Sequence, residues 1–101
     1  MEKRVILSKG LNKNKRFRVT MNFPDLHHHE FGSATGKTFI DGRTDKEKKA
    51  FIARHRNDKG WDNKHQGIYY SRHLLWGPYN NLNKNIKALE KKDNIKIVNK
   101  L

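Results

Sequence analysis

Arg16 and Arg18 stand two apart in the run RFRVTMNF. Successive side chains of a strand point to opposite faces, so cations at i and i+2 share one face. With Lys15 beside them and Lys37 a candidate neighbour, they make a set of charges suited to phosphate oxygens. Thr20 and Asn22 continue that face and can reach groove edges. A second set is Arg43, Lys46 and Lys49, with Arg54 and Arg56 at the far end of the same predicted helix. Arg54 can instead pair with Asp58 or Asp62 and fix the loop before Trp61, and Arg72 poses the same choice. The chemistry these residues offer is capture of a polyanion, not bond breaking.

The other reactive groups are histidines. His27, His28 and His29 are consecutive, and on a strand His27 and His29 share a face, which suits two metal ligands. A third would have to come from Glu30, His55, His65 or His73, none at a recognisable metal spacing, so the expectation is hydrogen-bonding or surface histidines and no metal or other cofactor. They add positive charge below pH ~6.5, which would tighten polyanion binding. A hairpin with adjacent His before a helix is also the outline of a His-metal finger nuclease. That site needs an Asn and a second His on the elements that follow. After His29 no Asn occurs until Asn57, and His55 falls at the far end of the helix. Gly36-Lys37-Thr38 lacks the upstream glycine of a phosphate-binding loop. The expectation is a protein without enzymatic activity. Trp61, Trp76, Tyr69, Tyr70 and Tyr79 can stack on bases. A domain poor in aliphatics needs most of them in its core, which leaves Tyr79, just after Gly77-Pro78, as the best exposed candidate.

Taken whole, the chain of 101 residues allows one domain, covering 1–101, that buries about 60–65% of the surface its unfolded form exposes. Lys and Arg number 23 against 10 Asp and Glu, a formal charge of +13. Such a charge repels itself in a small domain, and a polyanionic partner offsets that cost. The signs are interspersed, so the whole domain is basic rather than a neutral domain with a basic tail. Hydrophobic residues make up 34%, and no run approaches the roughly 18–20 apolar residues of a membrane span. The apolar run in MEKRVILSKG is too short for a secretory signal. The absence of Cys excludes disulfide frameworks, zinc ribbons and thiol nucleophiles.

The periodicity then places the elements. Residues 3–8 (KRVILS) read as a strand, and 8–15 (SKGLNKNK) as a turn or loop. In 16–23, Phe17, Val19, Met21 and Phe23 alternate with polar residues, giving one apolar and one cationic face. Pro24-Asp25 turns the chain, and 27–31 returns as the second arm of an antiparallel hairpin. Thr38-Phe39-Ile40 is a candidate short strand. T-D-K-E at Thr44 is a capping box opening a helix to about Arg56, with the Lys48 stem over its apolar face. Residues 67–76 suit a short aromatic helix, and 81–92 a third with Leu82, Ile86 and Leu89 at i, i+4 and i+7. NIKIVNKL is either a last strand or a frayed tail. The expected core is Val5, Leu7, Phe17, Val19, Met21, Phe31, Phe51, Ile52, Trp61, Leu74, Leu75, Trp76, Leu82, Ile86 and Leu89. The fold class is α+β: a small antiparallel sheet of N-terminal strand plus hairpin, packed by two or three short helices.

The middle of the chain carries, in order, Phe31-Gly32, Gly36, Phe39, Asp45, Lys48, Phe51-Ile52-Ala53-Arg54-His55, Trp61, Gly67, Ser71-Arg72 and Leu74-Leu75-Trp76. Over about residues 17–90 this order and spacing resembles a family of small basic proteins of unknown function from large double-stranded DNA viruses, notably giant viruses. The chain departs from that family's pattern at Gln66-Gly67-Ile68, where a Thr-Ala-Gly-like stretch is usual. It departs again at Gly77-Pro78, where an Asn-Lys-Pro-like linker is usual. In size, charge and element order it is also similar, by analogy, to the monomeric chromosomal protein of methanogenic archaea, an architectural DNA binder. The resemblance implies a viral protein inside the virion or the viral factory of the host cell, intracellular and not secreted.

Charge and resemblance together predict largely sequence-independent binding of double-stranded DNA that compacts or bends a viral genome. The contact set is Lys15, Arg16, Arg18, Lys37, Arg43, Lys46, Lys49, Arg54, Arg56 and Arg72. No membrane and no small-molecule substrate are expected. The alternatives are a structural virion protein that binds an acidic protein partner, and an RNA-binding protein.

Overall fold

The computed structural model describes residues 2–101. Three strands open the chain: β1 (Arg4–Lys9), β2 (Lys15–Met21) and β3 (His27–Ser33). β1 pairs antiparallel with β2 in a register that sets Val5 opposite Met21 and Leu7 opposite Val19. β2 pairs antiparallel with β3, setting Phe17 opposite Phe31, Val19 opposite His29 and Met21 opposite His27. Residues directly opposite one another lie on the same side of a sheet. The alternation in β2 therefore sorts Phe17, Val19 and Met21 inward, where all three are buried, and Arg16, Arg18 and Thr20 onto the other side, where they are half-buried. It also draws His27 and His29 onto the core-facing side at the start of β3.

The expected antiparallel trio is joined by a fourth strand. β4 (Lys96–Asn99) adds in parallel to β1, so the sheet is mixed with order β3-β2-β1-β4. NIKIVNKL is thus a strand rather than a tail. Its place is held by backbone bonds from the Lys96 amide to the Lys3 carbonyl (2.9 Å) and from the Lys100 amide to the Leu7 carbonyl (2.8 Å). Its parallel course is possible because the segments between β1 and β4, ending in a helix over Leu82–Asp93, supply the crossover that a parallel neighbour needs.

Three helices follow the hairpin. α1 (Asp45–His55) begins at the Thr44 capping box, the Glu47 amide donating to Thr44 Oγ1 (3.2 Å) and the Thr44 amide to Glu47 Oε1 (3.1 Å). α2 (Gly67–Tyr70) runs on into a single π turn over Ser71–Leu75. α3 (Leu82–Asp93) is capped by Asn81, whose side chain accepts from the Lys84 amide, and ends at Asn94 in the left-handed region (φ 53°). No helix among the described residues is long and apolar enough to cross a membrane.

One expected strand is absent. Phe39–Asp41 is a 3₁₀ turn rather than extended chain. Asp41 Oδ2 accepts from both the Thr38 amide (2.9 Å) and the Thr38 hydroxyl (2.8 Å), and this local polar ring outcompetes the β preference of Thr, Phe and Ile. Gly32, with φ 77°, lies near the end of β3. A Cβ there would lie 2.9 Å from the Leu75 side chain, which accounts for Gly at the end of the hairpin.

The core lies between the inner sheet face and α2, the π turn and α3. It contains Val5, Leu7, Phe17, Val19, Met21, Phe31, Leu74, Leu75, Ile86 and Leu89 as expected, and also Phe23, Tyr69, Tyr70, Ile95 and Ile97. Ile52, Trp76 and Leu82 are only half-buried. Phe51 and Trp61 are buried, but in an aromatic group of their own: Phe51 stacks parallel on Trp76 (4.5 Å between centroids, 6°) and lies 6.0 Å from Trp61.

Candidate nucleic-acid interface

Lys37, Arg43 and Arg54 come from three different places in the chain and converge. Together with Glu47, Ala50 and the half-buried Trp76 they line one concavity of about 290 Å³. The 3₁₀ turn and its left-handed Gly42 deliver Arg43 to the start of α1, and that helix carries Arg54 along the same side. Arg43 is tied to Glu47 by an i,i+4 ion pair at 2.7 Å. Glu47 is held below the usual carboxylate range first by the Thr44 amide, then by the Thr44 hydroxyl and Arg43. Lys37 and Arg54 make no carboxylate pair among the described residues, so the groove carries uncompensated positive charge.

Arg54 does not fix the loop before Trp61. Asp58 is taken by His55 Nδ1 (2.7 Å) and Asp62 by Arg72 (2.6 Å). Arg72 holds that loop instead. It donates to the Trp61 carbonyl (3.1 Å), and its guanidinium lies 4.5 Å from the centre of the Trp61 ring. Arg16 is engaged as well. Its guanidinium grips both oxygens of Asp41 and packs 5.0 Å from the Phe17 ring centre, with a quarter of the side chain exposed. Arg18 remains on the outer sheet face, in register with Ser8 and Glu30. Lys15, Lys46, Lys49 and Arg56 are exposed.

Lys15 and Arg16 share a second concavity, of about 400 Å³, with Lys9 at the end of β1 and Lys13 of the β1–β2 turn. A third surface was outside the sequence-derived set. Lys84, Lys87 and Lys91 stand on one side of α3 with the exposed ring of Tyr79, the Lys84 ammonium 6.0 Å from the ring centre. Their spacing of i, i+3 and i+7 is the helical signal that identifies the stripe.

The acidic side chains explain why the basic ones stay available. Besides Asp41, Glu47, Asp58 and Asp62, Glu30 accepts from the Leu11 and Asn12 amides, Glu90 from the Ile97 amide, and Asp93 from the Tyr69 hydroxyl (2.6 Å). Most carboxylates are spent on caps, turns and strand ends. Among the described residues only Arg4, Arg16, Arg43, Arg72 and Lys92 of the 23 basic side chains pair with one.

Tyr69 and Tyr70 are buried, and burial raises both phenols well above their ordinary value. Trp61 is buried too, which leaves, of the five candidates, Tyr79, 48% exposed, and the half-buried Trp76 as the rings open to a ligand.

The histidines divide by face. His28 is exposed on the outer side, opposite Thr20. His27 and His29 meet on the inner side, His27 Nδ1 lying 3.1 Å from His29 Nε2. Burial lowers the His29 pKa, and neighbouring His27, His28 and His65 lower it further. Among the described residues no group of three or more His, Cys, Asp or Glu is arranged to hold a metal ion. His55, the second histidine that a nuclease reading would need, is bound to Asp58 instead.

Comparison with protein-family models, curated proteins and solved structures finds no match to this chain.

Proposed function

We propose that this protein binds double-stranded DNA with little regard to sequence and compacts or bends it, the expected target being a viral genome because the family its sequence resembles is viral. The observation that carries the reading is the division of labour between charges. Most carboxylates are engaged within the fold. Lys37, Arg54, Lys46 and Lys49 around α1, Lys84, Lys87 and Lys91 on α3, and Lys9, Lys13 and Lys15 at the β1–β2 turn have no acidic partners among the described residues. A surface of this kind binds a phosphate backbone by releasing its counterions. The burial of Trp61, Tyr69 and Tyr70 favours duplex over single strands, because few rings are left to stack on unpaired bases.

The test is a binding isotherm on a mixed-sequence duplex at several salt concentrations. With about 6–8 phosphates neutralised, the log–log slope is about −5 to −7. Affinity that does not change between low and moderate salt overturns the mechanism. Parallel titrations of duplex RNA and single strands separate the readings. Equal or tighter binding of RNA assigns the surface to RNA, and no binding to any nucleic acid at modest salt assigns it to an acidic protein.

A further inference from the structure

We propose that His27 Nδ1 and His29 Nε2 form a two-imidazole chelate for a divalent transition ion of the Zn²⁺, Ni²⁺ or Cu²⁺ type, a site independent of the DNA-binding reading. The way the two rings are held supports it. His27 Nε2 lies 2.9 Å from the Phe23 carbonyl. A carbonyl only accepts, so this nitrogen carries the proton and Nδ1 presents its lone pair. That lone pair faces His29 Nε2 at 3.1 Å. Two nitrogens bound to one tetrahedral ion at 2.0–2.1 Å lie about 3.3 Å apart, so the pair needs to open by only a few tenths of an ångström. The ring centroids are 5.1 Å apart and the ring planes meet at 85°, so small ring rotations bring both lone pairs onto one ion.

The proton balance is simple. In the hydrogen-bonded pair His29 donates from Nε2 to His27 Nδ1. When an ion takes both lone pairs, the His29 proton moves to its own Nδ1, and both rings stay neutral. The Phe23 carbonyl then serves as the outer partner that fixes the tautomer of a liganding His.

The surroundings fit an ion with water in its remaining positions. The pair opens on a cavity of about 460 Å³ whose rim holds Pro24, Asp25, His65 and Gln66. His65 Nδ1 lies 3.1 Å from the same Phe23 carbonyl, which leaves the lone pair of His65 on Nε2. Its ring lies 5.9 Å from that of His27. Imidazole ligands without thiolate, and with one carboxylate only at the rim, select Zn²⁺, Ni²⁺ or Cu²⁺ over Mg²⁺ and Ca²⁺, which take oxygen.

Titration of the full chain with ZnCl₂ near neutral pH, followed by imidazole ¹H–¹⁵N NMR and calorimetry, tests the site. The expected result is one ion per chain, with the His27 and His29 ring signals shifting first and His29 changing tautomer, and no response to MgCl₂. His29→Ala weakens binding by at least about tenfold, whereas His28→Ala, on the opposite sheet face, leaves it unchanged. The wild-type spectra carry the test even if His29→Ala folds poorly. Unmoved His27 and His29 signals at saturating Zn²⁺, or a first shift at His28 or His55, overturn the proposal.

Discussion

Arg16 and Asp41, twenty-five residues apart in sequence, clasp each other across the start of β2 and the 3₁₀ turn, two nitrogens of the guanidinium on two oxygens of the carboxylate. Asp41 also closes the turn through Thr38, so one carboxylate joins the hairpin to the segment that launches α1. The Arg16 guanidinium, with Thr38 helping, holds the Asp41 pKa down to about 2.

A carboxylate with a depressed folded pKa adds stability that is present above its unfolded value near 3.8 and is lost as pH falls toward 2. Asp41→Asn removes this and costs about 1–2 kcal/mol at neutral pH. Thermal unfolding between pH 5 and pH 2 checks it, since the variant must lose less stability over that range than the wild type. For the same reason Arg16→Glu lowers the melting temperature. The outer-face test of DNA contact therefore belongs to Arg18→Glu, which breaks no ion pair among the described residues.

Asn85 is fully buried and makes three backbone bonds. Its amide donates to the Leu74 carbonyl (2.9 Å) and the Tyr79 carbonyl (2.8 Å), and its oxygen accepts from the Tyr79 amide (2.9 Å). It thereby ties the Gly77-Pro78 loop to α3. Asn85→Ala strands these groups and costs about 3–4 kcal/mol. Urea unfolding reads the loss, and a change below about 1 kcal/mol would refute the role.

His73 packs against Tyr69 at 4.4 Å, and its Nε2 is buried without a partner. Burial, then Arg72 and Lys92, push its pKa down to about 4. The unfolded chain takes up a proton near 6.5 that the folded chain refuses until about 4, so stability is full above 6.5 and declines as pH drops through that interval. His73→Leu flattens this decline. Melting temperatures from pH 7 to pH 4 that run parallel in the two proteins would contradict the assignment.

Lys37→Glu with Arg54→Glu reverses the free charges of the groove beside Trp76. Both residues are exposed and hold no carboxylate among the described residues, so the melting temperature stays within about 2 °C. Duplex affinity falls, and the salt slope becomes shallower by about 2. The triple change Lys84→Gln, Lys87→Gln and Lys91→Gln measures the share carried by α3. An unchanged slope in either variant removes that surface from the interface.

Much of the architecture is written in local patterns. The alternation of Phe17, Val19 and Met21 specified β2, the Thr44 to Glu47 box opened α1, and Leu82, Ile86 and Leu89 marked the inward side of α3. What local patterns lack is partner choice. Thr38 to Ile40 has strand propensity, but one carboxylate at Asp41 turned it into a 3₁₀ turn. Ile95 and Ile97 are equally consistent with a tail until β1 offers an edge. Helical spacing places Arg43 and Arg54 on one side of α1, but the arrival of Lys37 in their groove depends on how α1 docks, which no spacing encodes. Arg54 and Arg72 had the same carboxylate within reach, and only tertiary geometry gave Asp62 to Arg72.

α1 reaches the main core through Trp76: its buried side chain is Phe51, which rests on Trp61 and on Trp76, and Trp76 in turn packs against the core. The helix that bears Lys46, Lys49 and Arg54 is thus an outrigger, moored by a few flat rings and by the Lys48 ammonium on the Gly77 carbonyl (3.1 Å). The positions of the cations on this helix are therefore set by Trp61, Trp76 and the Gly77 carbonyl rather than by a strand.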